Sequence, residues 1–226
     1  MNLGYLLFNL IVVLYPLIKI TEKHIKYYKK LKFLLSGYLL VSIPHIIWDV
    51  FATANGDWSF NQDYIIGLKI LNLPIEELMF FFTVPFSCMF VYESVVFLFK
   101  DKKTNINYII FLLIGLISSL LAILNFNLAY TRATFIAFAI LNFGIYIIKP
   151  KIFEYKNTYI TILIYKILFL LANTYLTAIP IVLYSSNAIL NIRIGTIPVE
   201  DVFFNFSFLV WFLIVYTHFK NKKENV

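Results

Sequence analysis

Two short acidic motifs stand out, because each has a proline followed, after one residue, by two acidic residues. Proline favours the first position of a helix, and acidic side chains in the first turn meet the positive end of the helix dipole. Helix capping alone therefore explains a single motif, whereas two matching copies in an apolar chain favour a shared functional site. The members are Pro74, Glu76 and Glu77, and Pro198, Glu200 and Asp201.

Carboxylates within a membrane favour acid/base chemistry. A charged side chain costs about 2.5 to 3.5 kcal/mol at the bilayer centre, so such groups usually face the bundle interior and are functional. Two carboxyls in one low-dielectric site cannot both ionise easily, so one stays protonated as an acid while the other stays a base. Neighbours on a helix point about 100° apart. The facing pair is therefore predicted to join Glu76 to Glu200, which occupy equivalent positions of the two copies.

Aromatic residues make up 19% of the chain and follow both acidic motifs along the same predicted helices. Ring faces stabilise a cation and offer no nucleophile to capture it. Packing and interfacial anchoring account for most of these rings. Arg193 is predicted either to pair with a carboxylate or to contact lipid headgroups. The residues predicted to contact a substrate are Trp48, Phe80, Phe81, Phe204, Trp211 and Arg193.

The composition places these motifs in a membrane protein. Of 226 residues, 61% are hydrophobic and 14% are charged, which is too apolar for a soluble domain of this length. A spanning helix needs about 20 apolar residues, and the sequence predicts an all-α bundle of about seven. The predicted helices lie near Leu3–Ile20, Phe33–Ala54, Pro74–Phe99, Asn107–Leu124, Leu128–Ile148, Tyr159–Tyr184 and Pro198–Phe219.

The lysines predict the orientation of this bundle. They cluster in 19–32, 100–103, 149–156 and 220–223, and these clusters alternate with lysine-poor loops. The positive-inside rule then places the N-terminus outside and the C-terminus inside a cell (plasma) membrane. The net charge of +7 is explained by these loops and predicts no nucleic-acid partner. The first apolar run is predicted to be a transmembrane helix and not a removable signal peptide.

An internal repeat is predicted from the two acidic motifs and from two Ile-Pro pairs, Ile43-Pro44 and Ile179-Pro180. The second and sixth helices run in the same direction, so the repeats are parallel. The chain is predicted to form one membrane domain, with repeats at 1–103 and 127–226 and a connecting helix at 104–126. A functional site is expected at the interface of two such halves.

The residues around the motifs resemble those of the membrane-integral lycopene cyclase family, which includes two-subunit bacterial and fused archaeal and fungal enzymes. The resemblance spans nearly the whole chain and is weak in helices four and five. The matching segments are Trp48-Asp49, Trp58-Ser-Phe, Gly67, Leu73 to Glu77, and Arg193 to Asp201.

The resemblance implies an acid/base cyclisation of the ψ end groups of lycopene to β-ionone rings, giving γ-carotene and then β-carotene. Glu76 and Glu200 are expected to lead as acid and base, and Glu77, Asp201 and Asp49 are expected to tune their protonation. The reaction has no net redox change, so no cofactor is predicted, although a flavin or nicotinamide requirement stays open. The expected partners are a carotenoid and membrane lipid, and the oligomeric state stays open.

Three other functions use similar features. A related carotenoid or terpenoid end-group enzyme, such as a hydratase or a cyclase that makes a different ring, would use similar acid chemistry. A proton-coupled transporter also relays protons through carboxylates in a repeated helical bundle. A retinal protein needs a lysine in the middle of its last helix, and the residues from Pro198 to Phe219 contain none, while Lys166 in helix six is expected to snorkel. No metal-ligand spacing occurs among His24, His45 and His218, so no metal site is predicted.

Overall fold

The computed structural model describes residues 3–224, and seven apolar helices form the framework of this part of the chain. Five are long and apolar enough to cross a membrane, and α1 and α4 are shorter. The predicted all-α membrane bundle of seven helices is confirmed. The helices are α1 (Gly4–Ile18), α2 (Tyr27–Asn55), α3 (Ile75–Leu98), α4 (Ile109–Leu124), α5 (Ala129–Ile148), α6 (Lys156–Ala178) and α7 (Val199–Glu224).

Proline explains one wrong helix boundary. The sequence predicted that the sixth helix would continue to Tyr184, but α6 ends at Ala178. Pro180 has no N–H to donate and disfavours helical geometry at the residue before it. The first Ile-Pro pair instead lies within α2, directly after a π-helical turn at Tyr38–Ser42. The two Ile-Pro pairs therefore occupy different places in the fold and do not mark equivalent points of a repeat.

Three short antiparallel strand pairs lie at the end of the bundle that carries the two acidic motifs, here called the acidic end. The pair of β1 and β4 links the first half of the chain to the second, with Trp58 opposite Tyr184 and Phe60 opposite Val182. The other two pairs are hairpins that lead directly into α3 and α7. The strands are β1 (Trp58–Phe60), β2 (Lys69–Ile70), β3 (Leu73–Pro74), β4 (Val182–Tyr184), β5 (Arg193–Ile194) and β6 (Ile197–Pro198).

The helix packing follows the same scheme in both halves of the chain. In the first half α1 packs on α3, and in the second half α5 packs on α7. Across the halves, α2 packs on α7 and α3 packs on α6. The connecting helix α4 lies against α5. The acidic ends of α3 and α7 are thereby brought to the same interior region. The residue bounds of the two repeats remain a prediction.

Backbone hydrogen bonds repeat this correspondence at the acidic end. The Ile75 N–H donates to the Leu68 carbonyl, and the Val199 N–H donates to the Ile192 carbonyl, both at 3.0 Å. Each of these bonds ties the start of a spanning helix to the loop before it. The two acidic motifs consequently enter the bundle with the same local geometry.

The opposite end of the bundle, here called the basic end, contains a buried ionic cluster. Glu93 on α3 is 1% exposed and forms ion pairs with Lys30 on α2 and Lys220 on α7, the latter at 2.7 Å. The Tyr216 hydroxyl donates to the same carboxylate at 2.8 Å. A buried carboxylate that lost these partners would be strongly destabilising. The cluster therefore holds α2, α3 and α7 together away from the acidic motifs.

Gly37 allows α2 to approach α7 closely, which generates a stability prediction. A Cβ atom at this position would lie 2.4 Å from Phe212 Cζ. Overpacking of a filled core usually costs about 1–3 kcal/mol, so Gly37→Ala is expected to lower the temperature at which the detergent-solubilised protein unfolds. Leu35→Ala is the matched control, because Leu35 lies on the same helix and is 59% exposed, and this variant is expected to change the unfolding temperature little. Equal stability of the two variants would contradict this packing.

Candidate active site

A small cavity lies inside the acidic end, between α1, α2, α3, α5, α6 and α7, with β1 and β4 beside it. Its volume is about 70 Å³, and it is lined by the carboxyls of Asp49, Glu77 and Asp201. Each of these three side chains is buried. A buried water needs about 10–15 Å³ by this kind of measure, while an engineered cavity of about 150 Å³ takes benzene. The cavity has room for several waters and must widen to accept a carbon ring.

The two strand hairpins place the acids on this cavity. β3 ends at Pro74 and β6 ends at Pro198, and each proline is followed at once by the first residue of a spanning helix. The second acid of each motif, Glu77 or Asp201, then turns toward the interior between the two halves. The first-turn positions also give both acids the positive end of a helix dipole.

Asp49 and Glu77 are the two cavity carboxyls on the first half of the chain. The Trp58 indole N–H donates to Asp49 Oδ1 at 2.9 Å, and Thr53 Oγ1 lies 3.3 Å from the same oxygen. The Tyr5 hydroxyl donates to Glu77 Oε2. Asp49 Oδ2 is buried and receives no N–H or O–H from residues 3–224, and the Glu77 carboxyl lines the same cavity. A proton shared between the two carboxyls would satisfy both.

Asp201 has a different environment, because three neutral donors surround its carboxyl. The Tyr130 hydroxyl donates to Oδ1 at 2.6 Å. Asn173 Nδ2 and the Tyr184 hydroxyl donate to Oδ2 at 2.6 and 2.7 Å. Burial and the neighbouring Asp201 raise the pKa of Tyr184 in β4, so this phenol remains a neutral donor. Both oxygens of Asp201 are thus supplied with the hydrogen bonds that a carboxylate requires.

Glu76 and Glu200 do not line the cavity, which corrects their prediction as the facing pair. Both are 0% exposed, and each accepts a backbone N–H from the preceding loop, from Ile66 at 2.6 Å and from Leu190 at 2.7 Å. Thr131 Oγ1 also donates to Glu200 Oε1 at 2.6 Å. The first acid of each motif therefore fixes a loop to its helix, and the second acid faces the cavity. Helix geometry separates the directions of the two neighbouring acids, and the hairpin before the helix sets which of them points inward.

The predicted substrate contacts divide into two groups. Phe80, Phe81 and Phe204 line the cavity. Trp48 lies one layer behind it, with its ring centroid 5.1 Å from that of Phe204 and 5.5 Å from that of Trp58. Trp48 therefore acts on the cavity only through these neighbours.

Trp211 and Arg193 lie elsewhere, so the structure does not support them as cavity residues. Trp211 packs over Gly144 on α5, where a Cβ atom would approach its ring to 2.5 Å. Arg193 is exposed in β5 and donates to the Thr196 carbonyl of its own hairpin at 2.7 Å. Among residues 3–224 it forms no ion pair with a carboxylate.

The sequence reasoning missed most of the hydrogen-bond donors. Tyr5 and Tyr130 lie near the starts of α1 and α5 and reach the second acid of each motif from distant parts of the sequence. Their matching positions in the two halves were a usable signal. Asn173 and Tyr184 had no comparable signal, because their counterparts in the first half are different residue types. Lys166, expected to snorkel, instead donates to the Val202 carbonyl at 2.8 Å and lies 4.7 Å from the centroid of the Phe206 ring.

Comparison with known proteins connects this cavity to a family. A family model described as lycopene cyclase matches residues 2–95 and 127–219, which include both acidic motifs and every carboxyl on the cavity. The chain belongs to the lycopene cyclase family. The family match leaves out α4, the helix that connects the two halves.

Two fungal relatives share this family. Both are named bifunctional lycopene cyclase/phytoene synthase. The one from Pyrenophora tritici-repentis is 29% identical over 94 residues, which cover 41% of this chain and 16% of that protein. The one from Aspergillus niger is 36% identical over 52 residues, which cover 23% of this chain and 8% of that protein. The aligned segments thus cover less than a fifth of either relative. No solved structure matches the chain.

The loop-fixing role of Glu200 in this cyclase-family chain predicts a stability difference between two substitutions. Glu200→Ala leaves the half-buried Leu190 N–H and the buried Thr131 hydroxyl without an acceptor, which costs about 1–3 kcal/mol for the buried hydroxyl. Glu200→Gln keeps an acceptor oxygen and is expected to lose less. Thermal unfolding of both variants in detergent measures the difference. An alanine variant as stable as the parent protein would contradict the role.

Proposed function

We propose that this chain is a lycopene β-cyclase that closes the ψ end groups of lycopene to β-ionone rings by acid/base catalysis. The observation that carries the proposal is the convergence of Asp49, Glu77 and Asp201 on one buried cavity with aromatic walls. Membership of the lycopene cyclase family supports the carotenoid substrate. The products would be γ-carotene and then β-carotene.

The cavity contains the groups that this chemistry requires. A carboxylic acid donates a proton to the terminal double bond, the next double bond attacks the resulting cation, and a carboxylate removes a proton to leave the ring double bond. One proton enters and one leaves, so the end group is neither oxidised nor reduced. Acid/base contributions of this kind are typically worth about 10²–10⁴ in rate. Exclusion of water and a fixed substrate geometry supply further acceleration.

The walls of the cavity suit a carbocation. Phe80, Phe81, Phe204 and Phe208 present rings to it. An aromatic face attracts a positive charge and supplies no nucleophile. These side chains would shield the cation from water until a carboxylate removes the proton. The same apolar walls favour a polyene over a hydrophilic solute.

The interior of the bundle argues against the alternative of a proton-coupled transporter. Such a transporter needs a polar path from both faces of the membrane to its carboxylates. Between the cavity and the basic end, α7 places Phe208, Phe212 and Tyr216, each 0% exposed. This packed interior supports a cavity that is closed toward the basic end. We further propose that the acidic end faces the outside of a cell membrane.

The direct test is expression in a host that accumulates lycopene, followed by pigment chromatography. The parent chain is expected to convert lycopene to β-carotene, with γ-carotene as the singly cyclised product. Immunoblotting of the membrane fraction controls for expression. Unchanged lycopene in cells with abundant membrane-inserted protein would reject the proposed function.

The neighbouring glutamates of the first motif provide a sharper test. Glu77→Gln removes a transferable proton from the cavity and is expected to reduce ring formation by about 10²–10⁴-fold. Glu76→Gln keeps an acceptor for the Ile66 N–H and is expected to retain most of the activity. Conversion rates in isolated membranes, normalised to protein level, measure the contrast. The reverse order of activities would return the leading role to Glu76.

A further inference from the structure

The three cavity carboxyls have unequal supplies of hydrogen-bond donors, and this inequality points to a division of labour. We propose that the Asp49–Glu77 pair is the proton donor and that Asp201 is the base that selects the position of the ring double bond. In this scheme Asn173 and Tyr184 are positioning residues that hold Asp201 as a carboxylate. The proposal rests on the proposed cyclase function and assigns roles within the same cavity.

The donor count supports this assignment. Asp201 accepts three hydrogen bonds from neutral groups, at 2.6, 2.6 and 2.7 Å, so its ionised form is well solvated by the protein. The Asp49–Glu77 pair instead places two carboxyls on the same cavity and leaves Asp49 Oδ2 without an N–H or O–H donor among residues 3–224. A carboxylic proton between the pair supplies that missing donor. The cavity thus favours a proton on one side and a negative charge on the other.

The inequality arises where the two halves of the chain differ in residue type. In the first half the Thr53 hydroxyl donates to the Asp49 side chain, four residues earlier. In the second half the Thr177 hydroxyl donates to the Asn173 backbone carbonyl at 2.7 Å, also four residues earlier. Asp49 lies 25 residues before Pro74 and Asn173 lies 25 residues before Pro198, so the two occupy corresponding positions on α2 and α6. An amide donates a hydrogen bond to Asp201, whereas a carboxyl shares a proton with Glu77. Phe60 and Tyr184 correspond in the same way, each 14 residues before the proline of its motif, and they lie at opposite ends of the β1–β4 pair.

The proposed steps balance in atoms and electrons. An O–H bond of the pair breaks, and a C–H bond forms at the terminal alkene. The next alkene then forms the ring C–C bond and moves the positive charge onto the ring. Asp201 removes a neighbouring proton, so that a C–H bond breaks and its electron pair becomes the ring double bond. Transfer of that proton from Asp201 to the pair, across water in the shared cavity, resets the site.

The roles predict different failures for two matched substitutions. Glu77→Gln is expected to slow the consumption of lycopene by about 10²–10⁴-fold, without isomeric products, because the cation seldom forms. Asp201→Asn is expected to lower β-ring formation by about 10²–10⁴-fold while still forming the cation. That cation then loses a proton from another adjacent carbon or is captured by water. Chromatography with mass spectrometry would therefore show isomeric rings or a tertiary alcohol. With membranes in D₂O, these products should each contain one added deuterium per ring.

Tyr184→Phe tests the base without removing it. Loss of one hydrogen bond to a charged acceptor costs about 1.5–3 kcal/mol, so kcat for β-ring formation is expected to fall roughly 10- to 100-fold with little change in KM. The share of isomeric rings should rise. Tyr159→Phe is the matched control, because its hydroxyl donates to the Phe153 carbonyl at 2.7 Å away from the cavity. The control should keep the parent product ratio.

The outcomes separate this proposal from the proposed function. In one outcome the parent chain forms β-rings, and both Tyr184→Phe and Asp201→Asn form less β-carotene without any isomeric product. The assignment of Asp201 as the selecting base is then wrong, and the cyclase function stands. If Asp201→Asn does not accumulate in membranes, the product ratio of Tyr184→Phe decides alone. A parent chain that leaves lycopene unchanged rejects the cyclase function itself.

Discussion

Carboxyl groups buried in an apolar bundle require hydrogen-bond donors, and this requirement organises the acidic end. The donors come from tyrosines near the starts of α1 and α5, from an indole, from an amide and from backbone N–H groups of the loops. An unpartnered polar group in such surroundings costs several kcal/mol. The strand pairs, the loops and the helix starts can therefore be understood as the means by which these donors reach the acids.

The two halves of the chain are approximately equivalent, and their shared elements position the site. Where the halves differ in residue type, the two sides of the cavity differ in chemistry. The hairpins, the loop-fixing glutamates and the helix starts recur in both halves. Asp49 and Asn173 differ in residue type, whereas Thr53 and Thr177, each four residues further along, are the same. A fully symmetric cavity would offer the same group on both sides. The actual cavity offers a carboxyl pair on one side and a hydrogen-bonded carboxylate on the other.

Sequence reasoning succeeded where the signal was long and periodic. Apolar runs of about 20 residues identified the helices, and the paired motifs identified the acidic region. It failed on the inward-facing acid, because helix geometry gives the angle between Glu76 and Glu77 but not the rotation of the helix. That rotation depends on the bond between the Ile66 N–H and Glu76, and on hairpins whose strands are only two residues long. Strands so short carry no alternating pattern to detect.

The volume of the cavity has a consequence for the cycle of binding and release. A space of about 70 Å³ is roughly half of what accepts benzene, so an entering end group must wedge the helices apart. The ionic cluster around Glu93 holds α2, α3 and α7 together at the basic end. The helices would therefore separate at the acidic end and stay joined at the basic end. Under the proposed cyclase function, the displaced helices would press on the newly formed ring, so the deformation that admits the substrate would also favour release of the product.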